Sequence, residues 1–371
     1  MGIKSNRRKF IKKSILSAAS VAAFSSCSYS KEDDKFKNVN INFNKKYKWK
    51  MVTTWSPNMP VLGEGCNLLS DWIEKMSGGR MEIKVYGGGE LIPSLESFDA
   101  VSNGAIEMGS GAAYYWAGKI PSGQFFSSVP FGMNSKQMNS WIISGGGYKL
   151  YREIYEPFNL IPFVGGNTSM QMGGWFNKEI NSLDDLKGLK MRIPGLGGEV
   201  LKRAGGTPVN LPGGELFTAL KTGTIDATEW VNPYNDLAFG LHKAAKYYYY
   251  PGWHEPGTTL ECFLNKEIFD SLPEDLQNII TGAAKIANLD MLSEYIARNN
   301  EALKILKDKH KVNIMPLPDE VLEMLHNISN EVISEIAKKD KFSMQVYDSY
   351  KNFQKKTSES SKISIKSYLN I

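Results

Sequence analysis

The sequence predicts an α/β fold of two lobes with a ligand cleft between them, followed by a long helical region at the C-terminal end. Three observations carry this expectation. Strand-length apolar runs alternate with segments of helical periodicity through the first part of the folded chain, as in sheets covered by helices. A segment around residue 100 recurs around residue 220. From Ser271 the pattern turns helical and stays so almost to the end.

Taken in order, the folded part should begin near Tyr47, and Trp49 to Thr54 reads as a strand. Leu62 to Met76 places Leu62, Cys66, Leu69, Ile73 and Met76 on one helical face and stops at Gly78. Met81 to Tyr86 alternates apolar and polar residues, as a half-buried strand does, and Gly87-Gly88-Gly89 turns the chain. Pro93 to Asn103 is helical, Gly104 ends it, and a strand starts at Ile106. This alternation predicts a parallel sheet with helices on both faces. The internal repeat sets Glu96, Phe98, Ala100, Gly104, Ile106 and Glu107 against Glu215, Phe217, Ala219, Gly223, Ile225 and Asp226. Each copy is a helix, a glycine stop and a strand. Two similar lobes put a cleft beyond their strand ends, with Gly109 and Trp230 at equivalent places.

Ser271-Leu272-Pro273-Glu274 reads as a capping box with an early proline. The helix it opens runs to about Lys309, with Gly282 as a candidate break. Unbroken, it is roughly 55 Å long at about 1.5 Å per residue. Its apolar positions, from Leu276 and Ile280 through Tyr295 and Ile296 to Leu306, exceed one face, so it either spans both lobes or pairs with another protein. Further helices are expected from Pro318 to about Lys339 and from Ser343 to about Lys356.

The formal charge of +5 is misleading, because the six cations of residues 1–26 come with no acid and their removal leaves −1. Such a chain has no electrostatic footprint for nucleic acid. Those residues read as a targeting segment. Asn6-Arg7-Arg8-Lys9-Phe10-Ile11-Lys12 resembles the twin-arginine export signal of bacteria, and Phe24-Ser25-Ser26-Cys27 resembles a lipoprotein cleavage site with Cys27 as the lipidated residue. The organisation expected is therefore a leader (1–26), a flexible tether (27–46), a stretch mainly of the first lobe (47–160), one mainly of the second with crossing strands (161–270), and helices packing on both (271–371). Cys66 and Cys262 read as two small buried side chains, with a disulfide in an oxidising compartment as the alternative.

The chemistry lies in three short segments that each deliver a charged residue. Arg192 closes Lys190-Met191-Arg192, and its planar fork suits a carboxylate. Glu229 follows Ile225-Asp226-Ala227-Thr228, and Glu255 sits in Pro251-Gly252-Trp253-His254-Glu255-Pro256-Gly257; both are hard oxygen donors. Their convergence would make a site for a small carboxylate and a metal ion. Two buried acids and one arginine sum to −1, and an anionic ligand makes −2, which is unfavourable without a cation. A monovalent ion leaves −1 and a divalent ion 0, so charge alone does not choose between sodium and calcium.

Other motifs fail. Pro194-Gly195-Leu196-Gly197-Gly198-Glu199 lacks the third glycine of a dinucleotide fingerprint, since position 200 is Val200, and reads as a turn before a helix. His254-Glu255 is no zinc-protease motif, because position 258 is Thr258. The four histidines give no triad spacing, and Tyr247 to Tyr250 reads as a buried strand.

The leader, Tyr114-Tyr115-Trp116-Ala117-Gly118, Met191-Arg192-Ile193-Pro194-Gly195, Thr228-Glu229-Trp230-Val231-Asn232-Pro233 and Tyr250-Pro251-Gly252-Trp253-His254-Glu255-Pro256-Gly257 together resemble one family. It is the extracytoplasmic solute receptors of tripartite ATP-independent periplasmic (TRAP) transporters, in particular their 2-oxo acid-binding subgroup. The resemblance spans about Tyr47 to about Lys339. It implies a periplasmic-binding-protein-like fold, export to the periplasm, membrane permease subunits as partners, and no catalysis. It implies that Arg192 clamps the ligand carboxylate and that Tyr115 donates a hydroxyl to the ligand. It also implies a metal ion, sodium rather than calcium, held by Gln171, Glu229, the carbonyl of Trp230 and Glu255, with Gln171, Trp230 and Glu255 also next to the ligand. By the same resemblance the Ser271 to Lys309 helix is a candidate homodimer contact. The alternatives are a receptor for lactate or another carboxylate with calcium, an exported hydrolase, and a structural lipoprotein.

Overall fold

The computed structural model describes residues 42–369. The leader, Cys27 and most of the tether lie outside the described residues. Among the described residues the strands are β1 (Tyr47–Thr53), β2 (Met81–Tyr86), β3 (Met108–Gly111), β4 (Leu160–Asn167), β5 (Gly174–Phe176), β6 (Lys190–Arg192), β7 (Thr207–Val209), β8 (Ala227–Thr228), β9 (Tyr247–Tyr250), β10 (Thr259–Asn265) and β11 (Asn313–Pro316). They form a five-stranded sheet, β2-β1-β3-β10-β4, and a six-stranded sheet, β11-β9-β5-β8-β6-β7.

The expected strand–helix–strand start is present. β1 and β2 pair in parallel from Tyr47 opposite Met81 to Val52 opposite Tyr86. The helix Leu62–Met76 between them buries Leu62, Cys66, Leu69 and Ile73, whereas Met76 is exposed at the last turn. The internal repeat is a structural one. The helices Ser97–Ser102 and Leu216–Lys221 each follow a single 3₁₀ turn. Each ends at a left-handed glycine, Gly104 at φ 77° and Gly223 at φ 76°, a conformation glycine adopts without a Cβ penalty. The amide of Ile106 then donates to Ala100 and that of Ile225 to Ala219, at 3.1 and 3.2 Å. One copy feeds β3 of the first sheet and the other feeds β8 of the second.

Neither sheet is wholly parallel, contrary to expectation. β10 runs antiparallel to β3 and β4, and β5 runs antiparallel to β8 and β9. The cause is the path of the chain. It leaves the first sheet after β4 and returns along β9 and β10, so outgoing and returning strands lie side by side in opposite senses. The crossing segments are tied by backbone bonds from Thr168 to Thr258 (2.9 Å), Gln171 to Glu255 (3.1 Å) and Gly173 to Tyr249 (2.7 Å).

The helix Glu274–Asp308 is continuous over 35 residues. Gly282 does not break it: the roughly 1 kcal/mol cost of glycine in a helix is small beside the burial of Leu276, Ile280, Ala283, Ala284 and Ala287 against β4 and the helix Leu62–Met76. Ser271 is not its cap. Its hydroxyl donates to Ile268, one turn back, and it closes the short helix Lys266–Asp270, while Pro273 precedes the first turn of the long helix. The proline explains the shift, because its fixed φ already suits a helix start without a side-chain cap. The helices Asp319–Ala337 and Lys341–Ser361 follow, and Tyr350 accepts the Met133 amide at 2.7 Å.

Cys66 and Cys262 are free and buried. Burial pushes both thiols up, that of Cys66 to about 11, which leaves them protonated and inert.

Candidate functional site

The site is assembled where strands of the second sheet end and the crossing segments pass. β6 and β8 are parallel neighbours with Arg192 opposite Thr228, and the Glu229 amide donates to the Arg192 carbonyl at 3.1 Å. The cation and the first acid therefore emerge side by side at strand C-terminal ends, the usual ligand end of an α/β sheet. The outgoing crossing segment brings Gln171 and the returning one brings His254 and Glu255.

Arg192 is 1% exposed. Its Nε donates to the Leu211 carbonyl at 3.0 Å, its Nη2 to the Tyr115 hydroxyl at 3.2 Å, and its Nη1 to Glu229 Oε1. The guanidinium lies 5.3 Å from the centre of the Trp230 ring. Trp230 itself packs so close to Gly213 that a Cβ there would meet the ring at 2.2 Å, so glycine is required at that position. Burial opposes the charge of Arg192, but Glu229, Tyr115 and Tyr114 outweigh it and the guanidinium is firmly charged.

Glu255 lies across the cluster. Its Oε2 accepts from Gln171 Nε2 at 2.6 Å and from the Thr258 hydroxyl, and Tyr114 faces it. Burial, then the charge of Glu229, push its carboxyl up to about 8 against the pull of Thr258 and Arg192. Gln171 Nε2 also reaches Thr168 and Thr258 at 3.3 and 3.4 Å, which leaves its Oε1 buried without a partner. Glu229, His254 and Glu255 each offer a donor atom within 4.8 Å of the others. These observations fit a bound cation: two buried carboxylates close together, one pushed up by burial and by the charge of the other, and an amide oxygen without a partner.

Arg192, Gln171, Tyr115, Glu229, Trp230 and Glu255, singled out on the sequence, thus come together in one cluster, buried except for the half-buried Tyr115. Sequence reasoning passed over Tyr114, Thr168, Thr258, the Leu211 carbonyl and His254. His254 is 2% exposed and its Nε2 stands 3.6 Å from Glu229 Oε2. Its one sequence signal is its place beside Glu255; nothing local marks it as a neighbour of Glu229, which lies 25 positions earlier in the chain. A cavity of about 560 Å³ shares Tyr114 and Tyr115 with the cluster and continues past Ile193, Val209 and Ile336.

The profile of the bacterial extracellular solute-binding proteins, family 7, matches residues 51–340. The chain belongs to this family. A curated relative of the receptor, the monocarboxylate 2-oxoacid-binding periplasmic protein of Nostoc sp., is 44% identical over 324 residues, covering 87% of this chain and 88% of the relative. Among solved structures, a TRAP periplasmic solute-binding protein of Pseudoalteromonas atlantica with bound sodium and pyruvate is 43% identical with a TM-score of 0.85, covering 88% of the receptor and 99% of that chain. A TRAP transporter solute-binding protein of Bordetella bronchiseptica, a mixed occupancy dimer with copurified calcium and picolinate, is 35% identical with a TM-score of 0.86, covering 88% and 97%. These likenesses give the receptor the two-lobed α/β architecture expected from the sequence. No helix among its described residues is long and apolar enough to cross a membrane.

Proposed function

We propose that this receptor captures a small 2-oxo monocarboxylate of the pyruvate class together with a metal ion and delivers it, without chemical turnover, to a TRAP membrane permease. The observation that carries the reading is the buried Arg192 standing beside two buried carboxylates and the unpartnered oxygen of Gln171. Arg192 would take the ligand carboxylate with its two-pronged fork, with Tyr115 donating beside it. Gln171, Glu229, the Trp230 carbonyl and Glu255 would hold the ion, which is sodium in one of the two related structures and calcium in the other. The ion supplies the positive charge that two carboxylates and an anionic ligand need. For Arg192 to accept the ligand, Glu229 must release Nη1, and Glu255 must give up its proton. Pyruvate and picolinate, the ligands of those relatives, both place a second donor atom next to a carboxylate, the arrangement that grips an ion and an arginine at once.

Calorimetry of chelator-treated receptor with pyruvate, with and without calcium or sodium, tests this. Binding is expected only with the ion. Because the Glu255 carboxyl is protonated below about 8 in the ion-free receptor, its proton competes with the cation. Ion-dependent affinity should therefore fall about tenfold per unit as pH drops below that value, level off above it, and be accompanied by proton release. Pyruvate binding that ignores both chelation and pH would overturn the ion-bridged reading.

The family is one of exported receptors; anchoring at Cys27 is the finer proposal, to be decided by a mass spectrum of the mature N-terminus. The long helix further suggests a homodimer. Leu289 and Ile296 lie seven residues apart, 63% and 57% exposed, with Ile286, Leu292 and Leu303 half-buried along the same helix. Light scattering should give a dimer for the wild type and a monomer for Leu289→Glu/Ile296→Glu; a wild-type monomer at micromolar concentration would refute it.

A further inference from the structure

We propose that the ion pocket is also a site for borderline divalent ions of the cobalt and zinc class, with His254 as a nitrogen ligand beside Glu229 and Glu255. Sodium and calcium bind through oxygen and gain little from an imidazole, whereas cobalt and zinc favour one. His254 is 2% exposed, and neither of its ring nitrogens has a hydrogen-bond partner. A buried imidazole with neither nitrogen engaged by the protein is free to offer one of them to a metal ion.

The spacing suits ligands of one shared ion. His254 Nε2 and Glu229 Oε2 are 3.6 Å apart, too far for a hydrogen bond. Two ligands of one tetrahedral ion with bonds of about 2.0–2.1 Å stand about 3.4 Å apart. Glu255 offers an oxygen within the same 4.8 Å trio and needs to close by at most about 1.4 Å to complete the set. The ring cannot easily turn away. It meets the Trp253 ring edge-on at 5.3 Å, and its Cβ is so near Gly197 that a Cβ there would stand 3.0 Å from it. Charge agrees: two carboxylates and Arg192 give −1, so a divalent ion leaves the pocket at +1, ready for an anion. The oxygen-only ligands and the histidine-containing trio share both carboxylates, so the two classes of ion exclude each other.

The proposal uses the same cavity as the 2-oxo acid reading but needs no organic ligand, so cobalt chloride alone is the probe. Metal-free receptor titrated with Co²⁺ should develop the strong visible bands of a four-coordinate nitrogen and oxygen site, erased by Zn²⁺ and suppressed by excess Ca²⁺. His254→Asn and His254→Gln should weaken Co²⁺ by more than the roughly 10- to 100-fold that loss of a ligand's outer-shell partner costs. The other close imidazole pair, His242 and His310 with ring centres 4.1 Å apart, is the control, and His242→Asn should change nothing. In His242→Asn the Co²⁺ protein should still show a paramagnetically shifted ring N–H from one histidine, a readout that does not depend on folding of the His254 variants. Equal Co²⁺ affinity in wild type and His254 variants, loss of the bands in His242→Asn, or absence of the shifted resonance would each overturn it. Failure of pyruvate to bind with calcium would instead sink the proposed function and leave this site standing.

Discussion

Arg192→Met should abolish binding of pyruvate-like acids and also lower the melting temperature of the receptor. Truncating one member of a buried hydrogen-bonded charge pair costs about 2–5 kcal/mol in binding, roughly a 30-fold to several-thousand-fold loss at about 1.4 kcal/mol per decade. The effect on stability comes from Glu229. Both partners are 1% exposed, and methionine leaves the carboxylate buried without its cation, a defect worth about 3–5 kcal/mol. Adding Glu229→Gln to Arg192→Met should recover much of the stability and none of the binding. Calorimetry and thermal unfolding of the single and double variants read the two effects separately. Pyruvate affinity within threefold of wild type in Arg192→Met would remove the clamp from the site.

Glu229→Gln and Glu255→Gln should fail differently. An amide keeps an oxygen donor and loses the charge, so both variants should bind the ligand weakly at low ion concentration and regain much of the loss as calcium or sodium is raised. Arg192→Met should not respond. Glu255→Gln should in addition lose the pH dependence, because the group that titrates up at about 8 is gone. Calorimetry over a series of ion concentrations separates the classes, and Glu variants that bind normally without added ion would leave a plain arginine clamp.

Much of this was legible in the chain. The segments Leu62–Met76 and Met81–Tyr86 are read by periodicity because a helix or strand with one buried face must repeat at 3.6 or 2. Arg192, Glu229 and Glu255 could be picked out because each follows a short apolar run, and the family resemblance supplied Gln171, Tyr115 and Trp230. What could not be read was mutual orientation. Nothing in the sequence says that Glu229 neutralises Arg192 directly, and hence that removing the arginine strains the fold. Nothing places His254 against Glu229, since that contact depends on the register of two strands in one sheet and the path of the returning segment. The antiparallel members β5 and β10 were equally hidden, because a strand shows its buried face but not its direction. At Ser271 a local pattern misled: the residues fit a capping box, but the chain uses the serine to finish one helix and the proline to start the next.

The bonded crossing segments have a mechanical consequence. Thr168 to Gly173 and Tyr249 to Thr258 join the two sheets, and Gln171, His254 and Glu255 ride on them. Donor groups on such segments sit at the fulcrum, where a displacement of an ångström is multiplied by the lever arm of each lobe. Drawing Gln171 and Glu255 toward a common centre would thus set the gape of the whole receptor. Small-angle scattering should then register calcium alone as a change in overall dimensions, before any organic ligand is added.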